Sequence, residues 1–201
     1  MDATIASHGH SEEHGMEAGR RLRLGVLLYV LTDVVFVALL FAAYVFLRSY
    51  NTQGYFLPKG IHAPSFTQPA ILMGILVVSG LSYLAAYNGL KRDNQALYKG
   101  GVVLAVVLMI VAMVGQIRFM GQLPFTTADG SFASSYIMLN GYHAFHLIIG
   151  SLLGLGLMNR ALRGRYSSQN TDGVATIGYF WYWTSMLAVL LWLLWIVIPP
   201  A

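Results

Sequence analysis

The apolar residues of this 201-residue chain are gathered into five long runs separated by polar connections. The runs are Leu24–Leu47, Pro69–Leu90, Gly100–Met120, Ser134–Met158 and Ala175–Ile198. A helix rises about 1.5 Å per residue, so each run is long enough to cross a hydrocarbon core of about 30 Å. The pattern predicts an all-α integral membrane protein built as a bundle of five transmembrane helices. The first connection, Arg48–Gln68, carries Pro58 and Pro64; shorter links read KRDNQALYK, GQLPFTTADGS and NRALRGRYSSQNTDG. A polar segment, residues 1–20, precedes the membrane domain of residues 21–201. It has no apolar core of the kind a cleaved signal peptide needs, and it is expected to be a tail without fixed structure. His8, His10 and His14 lie in it, but a mobile segment must be ordered before it can capture a metal.

Charge changes the picture by giving the spans a direction. Arg20, Arg21, Arg23, Lys91, Arg92, Lys99, Arg160, Arg163 and Arg165 all fall on one side of a five-span topology. Only Arg48, Lys59 and Arg118 fall on the other. The positive-inside rule therefore puts the N-terminus inside and the C-terminus outside. This distribution also accounts for the net charge of +4 without nucleic acid as a partner. Trp181 and Trp183 then fall near the inner interface and Trp192 and Trp195 toward the outer one, as aromatic anchors do. Pairs of small residues, Gly150 with Gly154, Gly101 with Ala105 and Ala70 with Gly74, offer places where helix backbones can approach closely.

Composition agrees: 57% of residues are hydrophobic and 10% charged, where a soluble domain carries about a quarter charged. The absence of cysteine excludes disulfides, thiolate metal sites and iron–sulfur clusters. One full charge lies deep in a span, Asp33. An intramembrane acid costs about 2.5–3.5 kcal/mol on insertion scales and should face protein or water. It suits either a proton or lipid-headgroup site, or an acid satisfied by a neighbouring helix.

His143 and His146 share one face of the fourth span. A bis-histidine haem needs ligands from opposite sides of the ring, and a di-iron site needs several more carboxylates than the chain has at that depth. The chain is therefore expected to bind no metal and no haem. Counted along the spans, Asp33 lies about 14 Å from the inner edge and His146 about 18 Å from the outer one. Both sit near the midplane, so a contact of Asp33 with His146 or with His143 is expected. No broken-helix pair, phosphate-binding glycine loop or hydrolytic triad is evident.

These residues carry a resemblance. GYHAFHLIIGS, Gly141–Ser151, resembles the Gly-x-His-x-x-His segment of subunit III of haem–copper terminal oxidases. LLYVLTDVVFVALLFAAY, ending at Tyr44, resembles that family's first large-bundle helix, with Asp33 at the position of its acid. YFWYW, Tyr179–Trp183, is similar to the opening of its last helix. The likeness covers about residues 22–198 and is to the five-helix short form. It departs in the last helix, where Thr184 stands in place of a histidine and Leu187 in place of an acid. The resemblance implies an accessory subunit of a cytochrome c oxidase-type complex in the bacterial cytoplasmic membrane. It implies haem and copper in a partner subunit I, contacts with subunit II and a small subunit IV, and phospholipid in a helix cleft. Asp33, His143, His146, Tyr44, Trp181 and Trp183 become candidates for the structural or lipid-cleft site. A quinol oxidase subunit III and a nitric-oxide-reductase accessory protein share this fold; a small proton or cation transporter is the reading from a different class.

Overall fold

Backbone N–H and C=O groups in lipid must be satisfied within their own segment, which leaves an uninterrupted apolar run little choice but helix. The computed structural model describes residues 2–51, 56, 57, 60 and 62–199, with side chains from residue 17 onward apart from residue 18. Five helices account for the fold: α1 (Asp2–Tyr50), α2 (Thr67–Lys91), α3 (Gln95–Gly121), α4 (Ser131–Leu162) and α5 (Asp172–Val197). All five are long and apolar enough to cross a membrane, α1 over Gly19–Tyr50. Among the described residues there is no strand, only an isolated bridge between Ser167 and Asn170.

The helices run a few residues past the apolar limits, and local chemistry explains where they stop. The Asn94 side chain accepts from the Leu97 N–H at 3.0 Å, so α3 starts inside the polar link, at Gln95. Gly164, with φ of +67°, lets the chain turn after α4 while its N–H reaches the Ala161 carbonyl at 3.0 Å. Asp93 takes a left-handed conformation (φ +55°) in the tight link between α2 and α3, and its carboxylate accepts from the Ser168 hydroxyl at 2.9 Å. α1 differs most from expectation. Its helix begins at Asp2, so the polar tail continues the first span as backbone helix. Once a helix is nucleated each added residue contributes a hydrogen bond, and the Glu- and Ala-containing segment does not break it. The side chains of His8, His10 and His14 lie outside the described residues.

α2, α3, α4 and α5 pack in a ring in which each helix touches two neighbours, and α1 docks outside it against α4 and α5 alone. Two of the small-residue pairs are where helices close on one another. A Cβ on Gly154 would lie 2.8 Å from the Trp181 ring, and one on Gly101 would lie 2.8 Å from the Ala86 methyl. Gly74 has nothing within 4 Å of the place its Cβ would occupy, so the Ala70–Gly74 pair is not such a contact.

Candidate functional site

Asp33 points from α1 into the seam between α4 and α5 and is buried. Its carboxylate is met by three donors. The Tyr142 hydroxyl donates to Oδ1, and the Trp183 indole N–H donates to Oδ2. His146 Nε2 lies 3.0 Å from the same Oδ2. The expected contact thus forms with His146. His143, one turn away, faces α5 and its Nε2 lies 3.3 Å from the Thr184 carbonyl.

The protons can be placed from the acceptors. His146 Nδ1 lies 2.9 Å from the Tyr142 carbonyl, which can only accept, so Nδ1 carries a hydrogen. Nε2 then either carries a second proton against a carboxylate or accepts one from a carboxylic acid. In both arrangements the pair is neutral overall, which is what burial in lipid favours. The imidazole is stacked on the Phe180 ring at 5.7 Å and 10°, and meets the Tyr142 ring edge-on at 4.7 Å. Hydrogen bonds to a charged group contribute about 1.5–3 kcal/mol each. Three of them outweigh the insertion cost of about 2.5–3.5 kcal/mol for a lone acid.

α1 is held to α5 at three heights. On the N-terminal side of the bundle Arg23 pairs with Asp172, and Gly19 leaves the room that the Asp172 carboxylate occupies. At mid-height Trp183 meets Asp33. On the opposite side the Tyr44 hydroxyl donates to the Ile198 carbonyl at 2.9 Å, closing the end of α5. Tyr44 is fully buried among Phe56 and Trp195, about 16 Å along the helix from Asp33, and is not part of the Asp33 cluster.

The tryptophans depart from the anchor role that span-end position suggests. Trp181 is fully buried, stacked on Tyr83 at 5.0 Å, and its indole N–H donates to the Ser79 hydroxyl at 3.1 Å. Ser79 in turn donates to the Ala105 carbonyl at 2.8 Å. Trp183 and Trp195 are also buried. A buried indole needs an acceptor for its single N–H, and that requirement was the signal available in the sequence. Tyr142, Gln116 and Asn140 are further buried or half-buried polar residues that no motif singles out; Gln116 Nε2 donates to Asn140 Oδ1 at 3.1 Å.

At the altered last-helix positions, the Thr184 backbone carbonyl receives His143, and its hydroxyl donates back to the Phe180 carbonyl at 3.0 Å. Leu187 is buried in the apolar cluster around Val37, Tyr44 and Trp195. Among the described residues no three His, Asp or Glu side chains come together. His146 spends both ring nitrogens on protein partners, so it has no lone pair to offer a metal without breaking the Asp33 contact.

On the N-terminal side of Asp33, a groove of about 430 Å³ opens between α1, α4 and α5. Val26, Leu153 and Phe180 are among its apolar walls, and Arg160, Tyr166 and Thr176 are among the residues that bring polar groups.

Fold and site together define a multi-pass helical membrane protein whose deepest polar residues join helices. The family model for cytochrome c oxidase subunit III matches residues 2–198, and the chain belongs to that family. The cytochrome c oxidase subunit 3 of the lamprey Petromyzon marinus is 27% identical over 184 residues, covering 90% of this chain and 70% of that protein. The proteins of the same name from Pongo abelii and Ovis aries are 25% and 24% identical, covering 89% and 90% of this chain and 70% of each relative.

Proposed function

We propose that this chain is a subunit III without a redox centre of its own, in a respiratory cytochrome c oxidase of a bacterial cytoplasmic membrane. In this reading the complex reduces O₂ to water and translocates protons, while haem and copper are held by subunit I. Subunit II and a small subunit IV complete the assembly. The N-terminus faces the cytoplasm, since nine basic residues fall on that side and three on the other. The observation that carries the reading is the family match over nearly the whole chain, together with deep polar side chains whose hydrogen bonds are spent on neighbouring helices.

Asp33, His146 and Trp183 serve to fix α1 on α4 and α5, and His143 and Trp181 to hold the ring. The apolar groove beneath Phe180, with Arg160 among its lining, suits a phospholipid lying along α1 with its phosphate at the cytoplasmic interface. One purification tests the reading. Affinity capture of this chain from gently solubilised native membranes should bring down a large haem-bearing subunit, and the separated chain should show no haem absorbance. A chain that purifies alone and conducts protons or cations in liposomes would overturn it.

A further inference from the structure

Between the helices of the α2–α5 ring, on its C-terminal side and apart from the Asp33 cluster, lies a small recess with a few polar side chains in its lining. It is lined on four helices, by Met73 (α2), Gln116 (α3), Asn140 and His143 (α4) and Trp192 (α5) among others. It leaves about 20 Å³ for the centre of a water-sized sphere. About 10–15 Å³ on that measure is enough for one water, provided two to four polar groups receive it.

The hydrogen-bond orientations around it follow one from another. Asn140 Nδ2 donates to the Tyr136 carbonyl at 2.9 Å, which fixes the amide and turns Oδ1 toward Gln116. Gln116 must then present Nε2 to it at 3.1 Å, so Gln116 Oε1 is left as an acceptor. His143 Nε2 faces the Thr184 carbonyl, so Nε2 carries the hydrogen and Nδ1 of the neutral ring is left as an acceptor. The Trp192 Nε1–H is buried and has no partner among the described residues. The residues that line this space of one-water size therefore bring one unpaired donor and two acceptors, and a buried donor without a partner is unfavourable.

We propose that this recess is a hydration site built for one water, which accepts from Trp192 Nε1–H and donates to Gln116 Oε1 and His143 Nδ1. Three hydrogen bonds is the usual number for a buried water. The site makes a link that the protein alone lacks: α3 and α5 lie across the ring and do not pack on each other. It also separates the roles of the two histidines. His146 belongs to the Asp33 pair, and His143 is a neutral ring between the Thr184 carbonyl and the water. A metal cation is a poor occupant, because it would meet an N–H donor and at most two neutral acceptors.

Radiolytic footprinting of the intact complex in lipid nanodiscs, in H₂¹⁸O, tests this, because hydroxyl radicals form from water and label the side chains beside it. Met73, which lines the recess, should be labelled several-fold faster than Met109, buried in the apolar core, and Met186, on the outward face of α5. Replacing Trp192 with 3-benzothienylalanine, whose ring sulfur takes the place of the N–H at nearly the same shape, should bring Met73 down to the rate of those controls. Equal labelling of the three methionines in the unaltered complex, or a Met73 rate unchanged by that replacement, would overturn the proposal. Should that variant not assemble, Gln116→Met removes the acceptor instead and must give the same loss.

Discussion

Replacing His146 by alanine takes away the only basic partner that Asp33 has among the described residues and leaves the acid with Tyr142 and Trp183. In the ion-pair form of the contact, the carboxylate must then stay charged in a buried site or take up a proton. Neutralising a free carboxylate at pH 7 costs about 4 kcal/mol, since its ordinary titration lies about three units lower and each unit is about 1.4 kcal/mol. Breaking a buried ion pair from one side costs about 3–5 kcal/mol, so the two routes agree. Asp33→Asn is milder. Its amide can donate to His146 and accept from Tyr142, but it faces the Trp183 N–H with a second donor, and one unsatisfied indole costs about 1–3 kcal/mol. In the Asp33→Asn background no charge remains to be neutralised, so His146→Ala should cost about 1–2 kcal/mol. The double-mutant cycle should therefore show about 2–3 kcal/mol of coupling. Reversible denaturation in mixed micelles, at several denaturant ratios and with assembly followed in parallel, would measure it. Single costs that add with no coupling would refute the pair.

Three further outcomes follow from other contacts. Trp183→Phe and Trp181→Phe each vacate the same buried indole volume, but the first also takes a donor from the Asp33 carboxylate and the second only from the neutral Ser79 hydroxyl, so Trp183→Phe should be the more destabilising by about 1 kcal/mol; thermal melts of the two variants should differ in that order. Gly154→Ala forces a methyl to within 2.8 Å of the Trp181 ring and should destabilise by about 1–3 kcal/mol, while Gly74→Ala should leave the melting temperature nearly unchanged. In the connection between α3 and α4, the Asp129 carboxylate accepts from the Thr126 N–H at 2.6 Å and from its hydroxyl at 2.9 Å, which holds its pKa below the usual carboxylate range. A depressed folded-state value contributes stability above the ordinary carboxylate range of about 3.9, lost as pH falls through the folded value. Amide exchange at Thr126 should quicken in acid beyond the intrinsic trend, and Asp129→Asn should abolish that pH response.

The sequence carried the five helices because run length alone forces them in lipid, and depth put Asp33 level with His143 and His146 without choosing between them. It could not carry the direction in which each helix faces. A span that is apolar all round has no hydrophobic stripe to say which side is inside, so Trp181 and Trp183 read as interface anchors when both are core residues. The same ambiguity hid Tyr142, which is one turn from His146 on α4 yet reaches α1. Small-residue pairs were legible only in part: Gly154 and Gly101 sit at crossings, while Gly74 has the same spacing and an open face. The hydrogen bond to the Thr184 carbonyl was beyond reach, because a backbone acceptor leaves no trace in residue type.

The central claim is that the deep polar cluster fastens an accessory subunit and does no chemistry for the oxidase. Purified complexes containing Asp33→Asn or the natural chain should be compared, per mole of haem, for initial O₂ consumption and for retention of this subunit through a detergent wash. The account predicts equal initial rates and a several-fold greater loss of the variant subunit. A variant that stays fully bound but reduces O₂ or takes up protons more slowly from the first turnover would contradict it.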